Sequence, residues 1–366
     1  MPFVKSFLVT AALLLSAFLG LGLYLQSLEG DLTRLANLAE RSWGWNAPQP
    51  PLDVLENRTD LPPSVIVIGD SFSAGNDWQS VAQQASGRRF TTFHWHDIGA
   101  PTCLAHAVEV LHQRYPGARD VVVQTVERAF MDRFGGAPAN PAGCDERLAS
   151  SVRNEAGPAP TVRARFDLAR PMPDPLYALR ALAAERAPRE QDGRAGDVVF
   201  SRLSRADLFS SRHPDVLLTF ADDLAKADWT ASQLDAAVDR AKSVAARAQV
   251  LGLRLTYVVV PDKSTVYAPW LVRAPARQAP RVWPLLEAAG IRSVDLQAAF
   301  AAEAGRSADF YLPNNTHVGN RGYLVLGRAV ADCLEGASPE GERVADALAQ
   351  RGSGRPSASC LRTSAT

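Results

Sequence analysis

The chain has 366 residues, of which 46% are hydrophobic and 21% charged, and Lys+Arg balances Asp+Glu at 39 each. That composition excludes a disordered or collagen-like chain and suffices for a sizeable core. A net charge of zero gives no global electrostatic case for a nucleic-acid partner.

The N-terminal stretch stands apart. From Ser6 to Ser27 no residue is charged, and Phe7 to Leu25, as a helix rising about 1.5 Å per residue, nearly matches the roughly 30 Å hydrocarbon core of a bilayer. Lys5 precedes the stretch while Glu29 and Asp31 come after it, so the positive-inside rule leaves the body of the chain outside the cytoplasm. A cleaved secretory signal would be shorter and end in small-x-small, which Gly22 to Ser27 does poorly. An uncleaved anchor over residues 1–28 is favoured, and either reading exports the rest of the chain. Leu32 to Trp43 reads as a helical stalk. Ala47-Pro48-Gln49-Pro50-Pro51 to Pro62-Pro63 reads as an extended linker, so that stalk and linker cover residues 29–63.

The domain proper opens at Ser64. Val65-Ile66-Val67-Ile68 is a run of β-branched residues, as in a strand buried on both faces, and Gly69-Asp70-Ser71 ends it in a turn that displays a serine. Asp77 to Ala85 comes next as a helix, whose N-terminal amides favour negative charge. Arg89 to Trp95 is a second strand, Asp97 to Pro101 a loop containing Gly99, Ala105 to Tyr115 a helix, and Asp120 to Val126 a third strand ending in Glu127-Arg128. Alternation of strand and helix predicts a doubly wound parallel sheet of the α/β class.

Gly135 to Pro160, rich in Gly, Pro and Ala, reads as a long loop, and a variable insertion is expected around 135–225. Within it, Leu176 to Glu185 has helical spacing and the charged run Arg186 to Asp197 reads as a solvated loop. Periodicity returns at Ala231 to Gln249, where Leu234, Val238, Ala241, Val244, Ala245 and Ala248 share one helical face. Leu253 to Val260 is a buried strand, and Pro261 to Tyr267 is the loop at its C-terminal end, where open α/β sheets place ligands. A helix at Val282 to Ala289, a short strand at Ile291 to Leu296, the turn-rich Phe310 to Tyr323 and a helix at Leu324 to Leu334 complete the domain near residue 335. The tail, 336–366, reads as largely mobile.

Cys103, Cys144, Cys333 and Cys360 are too widely spaced for a zinc ribbon or a Cys-x-x-Cys redox motif. An even number in an exported chain points to bridges, and of three possible pairings Cys103–Cys144 with Cys333–Cys360 closes the shorter loops.

A serine hydroxyl needs a base within hydrogen-bond reach. Of six histidines, His94, His96 and His106 lie in the first half, and His112 and His213 sit among charged neighbours. His317 is the strongest candidate, because its loop enters a helix after the last strand, where parallel-sheet topology brings it over the end of the first.

Taken together, Gly69-Asp70-Ser71 after the first strand, Gly99 after the second and a histidine loop before the last helix resemble the SGNH/GDSL hydrolase pattern. The strand ending in Glu127-Arg128, the segment Val258 to Tyr267, and Asn315-Thr316-His317 before a glycine are similar to the SGNH-like O-acetyltransferases of alginate biosynthesis. The likeness covers roughly Ser64 to Leu334 and implies a three-layer sheet with Ser71 as nucleophile and His317 as general base. It also implies Ser71 N–H and Gly99 N–H as oxyanion donors. The third donor, an asparagine after the third strand, has no match in Gln124 to Arg128. Arg128, Lys263 and Tyr267 become candidates for holding an anionic sugar, with ion pairs to Glu127 and Asp262 as the alternative for Arg128 and Lys263.

The largest departure is the acid. The family places an aspartate two or three residues before the histidine, and here Asn315 and Asn314 stand there. Asp309 or Asp295 is then expected to supply a carboxylate, or the Asn315 carbonyl to orient the ring. The activity implied is transfer of an acetyl group through an acetyl-serine to an exopolysaccharide in the periplasm, with no metal or cofactor. A membrane acyltransferase partner would deliver the acetyl groups. An esterase using the same Ser71 and His317, and an inactive polysaccharide-binding subunit, are the competing expectations.

Overall fold

A computed structural model of the chain describes residues 2–26, 30–52, 62–135, 193–335 and 359–361, together with Cys144, Tyr177 and Arg180. Most of the loop expected at 135–160, the helix at 176–185 and most of the tail lie outside these residues.

Strands β1 (Val65–Gly69), β2 (Phe90–His94) and β3 (Asp120–Val126) form where the apolar runs predict them. A short antiparallel set comes next, β4 (Gly193–Ala195), β5 (Val198–Arg202) and β6 (Val216–Phe220), and then β7 (Arg254–Val260), β8 (Ser293–Asp295) and β9 (Ser359–Leu361). The main sheet runs β2-β1-β3-β7-β8-β9, parallel except for β9. Because β1 has β2 on one side and β3 on the other, the strand order reverses at β1. The crevice outside its C-terminal end is therefore where such sheets bind ligands.

Alternation along the strands feeds two apolar layers. Val65 and Val67 of β1 pack with Trp78 and Ala82 of the helix Asp77–Ser86 and with Leu326 and Val330 of the helix Asn320–Glu335. Ile66 and Ile68 face the other way, toward the helices Leu104–Arg114, Ala231–Val250 and Val282–Ala288. The chain thus has the three-layer, parallel-sheet architecture expected of an SGNH-like domain. The long helix at 231–250 starts with a capping box, in which Gln233 N–H donates to Thr230 Oγ1 (3.3 Å) and Thr230 N–H to Gln233 Oε1 (2.9 Å).

Pro2–Gln26 is one helix, and Pro2–Leu21 is long and apolar enough to cross a membrane. The residues after it differ from the expected stalk. Leu32, Ala36, Leu38 and Trp43 are buried against Val198, Phe200, Val216 and Leu218 of the small antiparallel sheet. Burial of that apolar face outweighs the solvated helix that the local pattern suggested. The start of the linker is likewise tied down, with Asn320 N–H donating to Gln49 Oε1 (3.1 Å) and Asn320 Nδ2 to Pro50 O (2.8 Å). One further expectation is corrected: part of the charged run at 186–197 is strand β4. Of the tail, the described residues 359–361 form β9 and pair with β8, and the rest lies outside the described residues.

Candidate active site

The turn after β1 is built to close tolerance. A Cβ on Gly69 would lie 2.2 Å from Ser73 Oγ and 2.5 Å from Ser73 Cβ, so only glycine fits. Asp70 is buried and spends its carboxylate inside the turn, accepting from Phe72 N–H (3.0 Å) and Val126 N–H (2.6 Å). Gln124 Oε1 accepts from Asp70 N–H (3.0 Å) and Ser73 Oγ (2.7 Å). The end of β3 thus braces the serine turn. Ser71 is left exposed at its tip.

His317 meets it there. Its Nε2 lies 2.8 Å from Ser71 Oγ, across a sequence separation of 246 residues. Its Nδ1 lies 2.8 Å from Asn315 Oδ1, which also accepts the His317 backbone N–H at 3.0 Å. Because a backbone N–H can only donate, the Asn315 atom facing Nδ1 is the carbonyl oxygen, and Nδ1 must carry the proton. Nε2 is then the bare nitrogen toward Ser71. The Phe72 ring packs on the imidazole, with centroids 4.7 Å apart. Burial pushes the His317 pKa below the ordinary histidine value, opposed by Asp31, then Asp70 and Asp77, while Arg128 lowers it further. The imidazole is therefore a neutral base at neutral pH.

The other expected site residues separate into two groups. Ser71 N–H has no hydrogen-bond acceptor among the described residues, as an oxyanion donor requires. Gly99 adopts a left-handed φ of 84°, but its N–H closes a turn on His96 O at 3.3 Å.

Arg128 does not pair with Glu127. It is held by Asp223 (3.1 Å) and Asp262 (2.9 Å), while Glu127 and Asp262 each take Lys226 at 2.6 Å. In this buried cluster burial, then Asp262, pushes the Asp223 carboxyl up to about 8.

Lys263 does not reach outward either. Fully buried, it donates from Nζ to Leu312 O (2.8 Å), Pro313 O (2.9 Å) and Asn315 O (3.3 Å), gripping the histidine loop from behind. Tyr267 is buried as well, its hydroxyl oxygen accepting from Tyr311 N–H at 3.3 Å. Both brace the loop rather than line a sugar site.

Neither expected acid is at the histidine. Asp309 accepts from Ser210 N–H (2.8 Å) and Ser210 Oγ, and Asp295 accepts from Gln297 N–H (2.9 Å) at the start of a helix. The nearby carboxylate is Asp31, whose Oδ2 lies 3.8 Å from His317 Nδ1. Sequence reasoning missed it because Asp31 and Thr316, which hydrogen-bond, are 285 residues apart. The one signal in the sequence was an acid at the head of an amphipathic stretch.

The expected bridge between Cys103 and Cys144 is present, and Cys333 is also disulfide-bonded. Among the described residues no group of three His, Cys, Asp or Glu side chains is placed to hold a metal ion.

A parallel sheet reversing at β1, with a serine turn and a histidine loop meeting above it, is an arrangement that allows acyl transfer through a serine. Residues 214–355 match the family model for the SGNH hydrolase-like domain of the acetyltransferase AlgX, so the family likeness drawn from the sequence is shown over that part of the chain. The match takes in β7, Lys263 and the histidine loop and begins well after Ser71. It supports a role of the acetyltransferase or esterase type. Neither the curated proteins nor the solved structures contain a match.

Proposed function

We propose that this chain is an O-acetyltransferase that modifies an exopolysaccharide outside the cytoplasmic membrane, through an acetyl-serine at Ser71. The observation that carries the reading is the 2.8 Å contact of Ser71 Oγ with the bare nitrogen of His317, whose other nitrogen is fixed by Asn315. His317 Nε2 takes the Ser71 proton as Oγ attacks the acetyl carbonyl, and returns it to the departing group of the donor. The oxyanion of the tetrahedral intermediate sits against Ser71 N–H, with Gly99 N–H added if its 3.3 Å turn bond opens. In the second half a sugar hydroxyl gives its proton to Nε2 and attacks the acetyl-serine, and Ser71 Oγ leaves as the hydroxyl.

The apolar N-terminal helix supports an anchor or signal that exports the domain, the periplasm being the compartment proposed. No cytosolic acetyl donor would reach the domain there, so a membrane acyltransferase supplying acetyl groups is proposed as its partner. Exposure of Ser71 also admits water, which favours esterase activity as the second reading.

The test uses the full chain in detergent with a chromogenic acetyl ester, with and without an oligosaccharide acceptor. Acetyl appearing on the sugar, and lost in Ser71→Ala, is the expected result. Release to water alone selects the esterase, and turnover indistinguishable from Ser71→Ala refutes both.

A further inference from the structure

The acid missing from the histidine loop has a replacement elsewhere in the chain. Asp31 stands against that loop with its carboxylate locked: Oδ1 accepts from Thr316 N–H at 2.9 Å, and Oδ2 accepts from Thr316 Oγ1. Its neighbours are held just as firmly. Leu32 N–H donates to Asn314 O at 3.1 Å, and Glu40 accepts from Asn314 Nδ2, Thr33 Oγ1 and Gly30 N–H. Gly30 lies so close that a Cβ there would stand 2.7 Å from both Asn314 O and Asn314 Nδ2. Both asparagines that replace the family's aspartate are therefore accounted for: Asn314 grips residues 30–40, and Asn315 fixes the ring.

We propose that Asp31 is the carboxylate of this serine–histidine pair, a positioning residue contributed by the segment that directly follows the apolar helix. The inference rests on the reading of Ser71 and His317 given above and adds the third member to that site. The work normally done by one aspartate is divided. Asn315 Oδ1, at 2.8 Å, holds the tautomer, and Asp31 Oδ2, at 3.8 Å from the same nitrogen, supplies the negative charge that favours the imidazolium formed during attack.

The other charged groups near His317 do not replace it. Asp70 is spent on Phe72 N–H and Val126 N–H, Asp77 heads the helix Asp77–Ser86 and acts more weakly than either, and Arg128 opposes the imidazolium. Chain length alone adds a constraint. Five residue steps from Gln26 to Asp31 span at most about 18 Å, so the apolar helix ends within that reach of the active site. An anchored enzyme would do its chemistry at the bilayer surface.

The experiment compares wild type, Asp31→Asn and Thr316→Val as full chains in detergent. It tracks kcat and KM against pH for acetyl-ester turnover and, separately, the titration of His317 by NMR of 13C-labelled histidine assigned through His317→Gln. Asp31→Asn should lower kcat roughly tenfold to a thousandfold, the range over which an adjacent opposite charge biases a proton equilibrium. KM should change little. The acid limb of the rate profile and the NMR titration of His317 should move together to lower pH. Thr316→Val removes one of the hydrogen bonds to Asp31 but not its charge, and should leave both midpoints in place. Coincident His317 titrations in wild type and Asp31→Asn, or an equal shift in Thr316→Val, overturn the assignment. Wild type without Ser71-dependent turnover overturns the proposed function instead, and the NMR arm still decides whether Asp31 acts on His317.

Discussion

Replacing Lys263 by methionine tests how the histidine loop is held. Its Nζ lies 2.8, 2.9 and 3.3 Å from three carbonyls of residues 312–315, matching the three donors of an ammonium. Removing the donors orphans acceptors at about 1–3 kcal/mol each, or about 3–9 kcal/mol if they simply summed. Against this stands the cost of burying the charge. Burial pushes Lys263 down to about 7, opposed by Asp31, Asp223 and Asp309. From the ordinary 10.5 this corresponds to about 5 kcal/mol at 1.36 kcal/mol per unit. The two largely cancel, so Lys263→Met should cost no more than about 4 kcal/mol in global stability. Activity should fall as well, because a loop displaced by about 1 Å misaligns His317 and costs on the order of 100-fold in rate. Linkage supplies a further signature. Between about 7 and 10.5 the unfolded chain holds the Lys263 proton and the folded chain, whose neutral amine keeps two donors for the three carbonyls, does not, so this residue's contribution rises with pH across that window and is lost as pH falls through 7. Urea unfolding of the full chain in detergent, monitored by tryptophan fluorescence at several pH values, measures it. The advantage of wild type over Lys263→Met should grow from pH 7 to pH 10. A difference that stays flat would mean the three carbonyls keep the ammonium charged throughout, and the burial argument fails.

Three other outcomes are expected. The kcat/KM for ester turnover should fall with acid through a midpoint below the ordinary histidine 6.5, since burial depresses His317 and only its neutral form accepts the Ser71 proton; a midpoint above 6.5 contradicts this. Asn315→Asp, which places a charge 2.8 Å from Nδ1, should raise kcat and move that midpoint upward, and a pH–rate profile superimposable on wild type would place the residue out of contact with the ring. Gly69→Ala should destabilise the domain by about 1–3 kcal/mol, the usual cost of overpacking, and lower the rate of Ser71 acylation by a fluorophosphonate, because the added methyl meets Ser73 at 2.2 Å.

The parallel core was legible because β1, β3 and β7 are built on largely apolar, β-branched runs and its main helices repeat their apolar residues every turn. Ser71 was legible because it sits where the chain leaves β1, and His317 because its loop leads into the last helix, with strand order at β1 making that edge a meeting place. What could not be read depends on contacts between distant segments. Strands β4 to β6 are short, and their apolar residues make sense only with Leu32 and Trp43 laid across them. Lys263 looks like a substrate cation in a loop at a strand end, and nothing local reveals that it faces inward to three carbonyls. Arg128 sits beside Glu127 in sequence, yet its partners Asp223 and Asp262 come from the ends of other elements.

The asparagine at 315 need not silence the site. In serine proteases, changing the triad aspartate to asparagine costs about 10⁴ in turnover because the imidazole is left in the wrong tautomer. That mechanism requires the amide to present its NH2 group to the ring. Here the His317 backbone N–H donates to the same Asn315 oxygen that faces Nδ1, so turning the amide over would set two donors against each other. The tautomer is secured by the backbone of the histidine itself. What an amide cannot supply is charge, and the carboxylate 3.8 Å away makes up that part from the other end of the chain. On the assignment proposed for Asp31, the cost of losing the local aspartate is reduced from the wrong tautomer to a longer distance between opposite charges, which is a difference of degree.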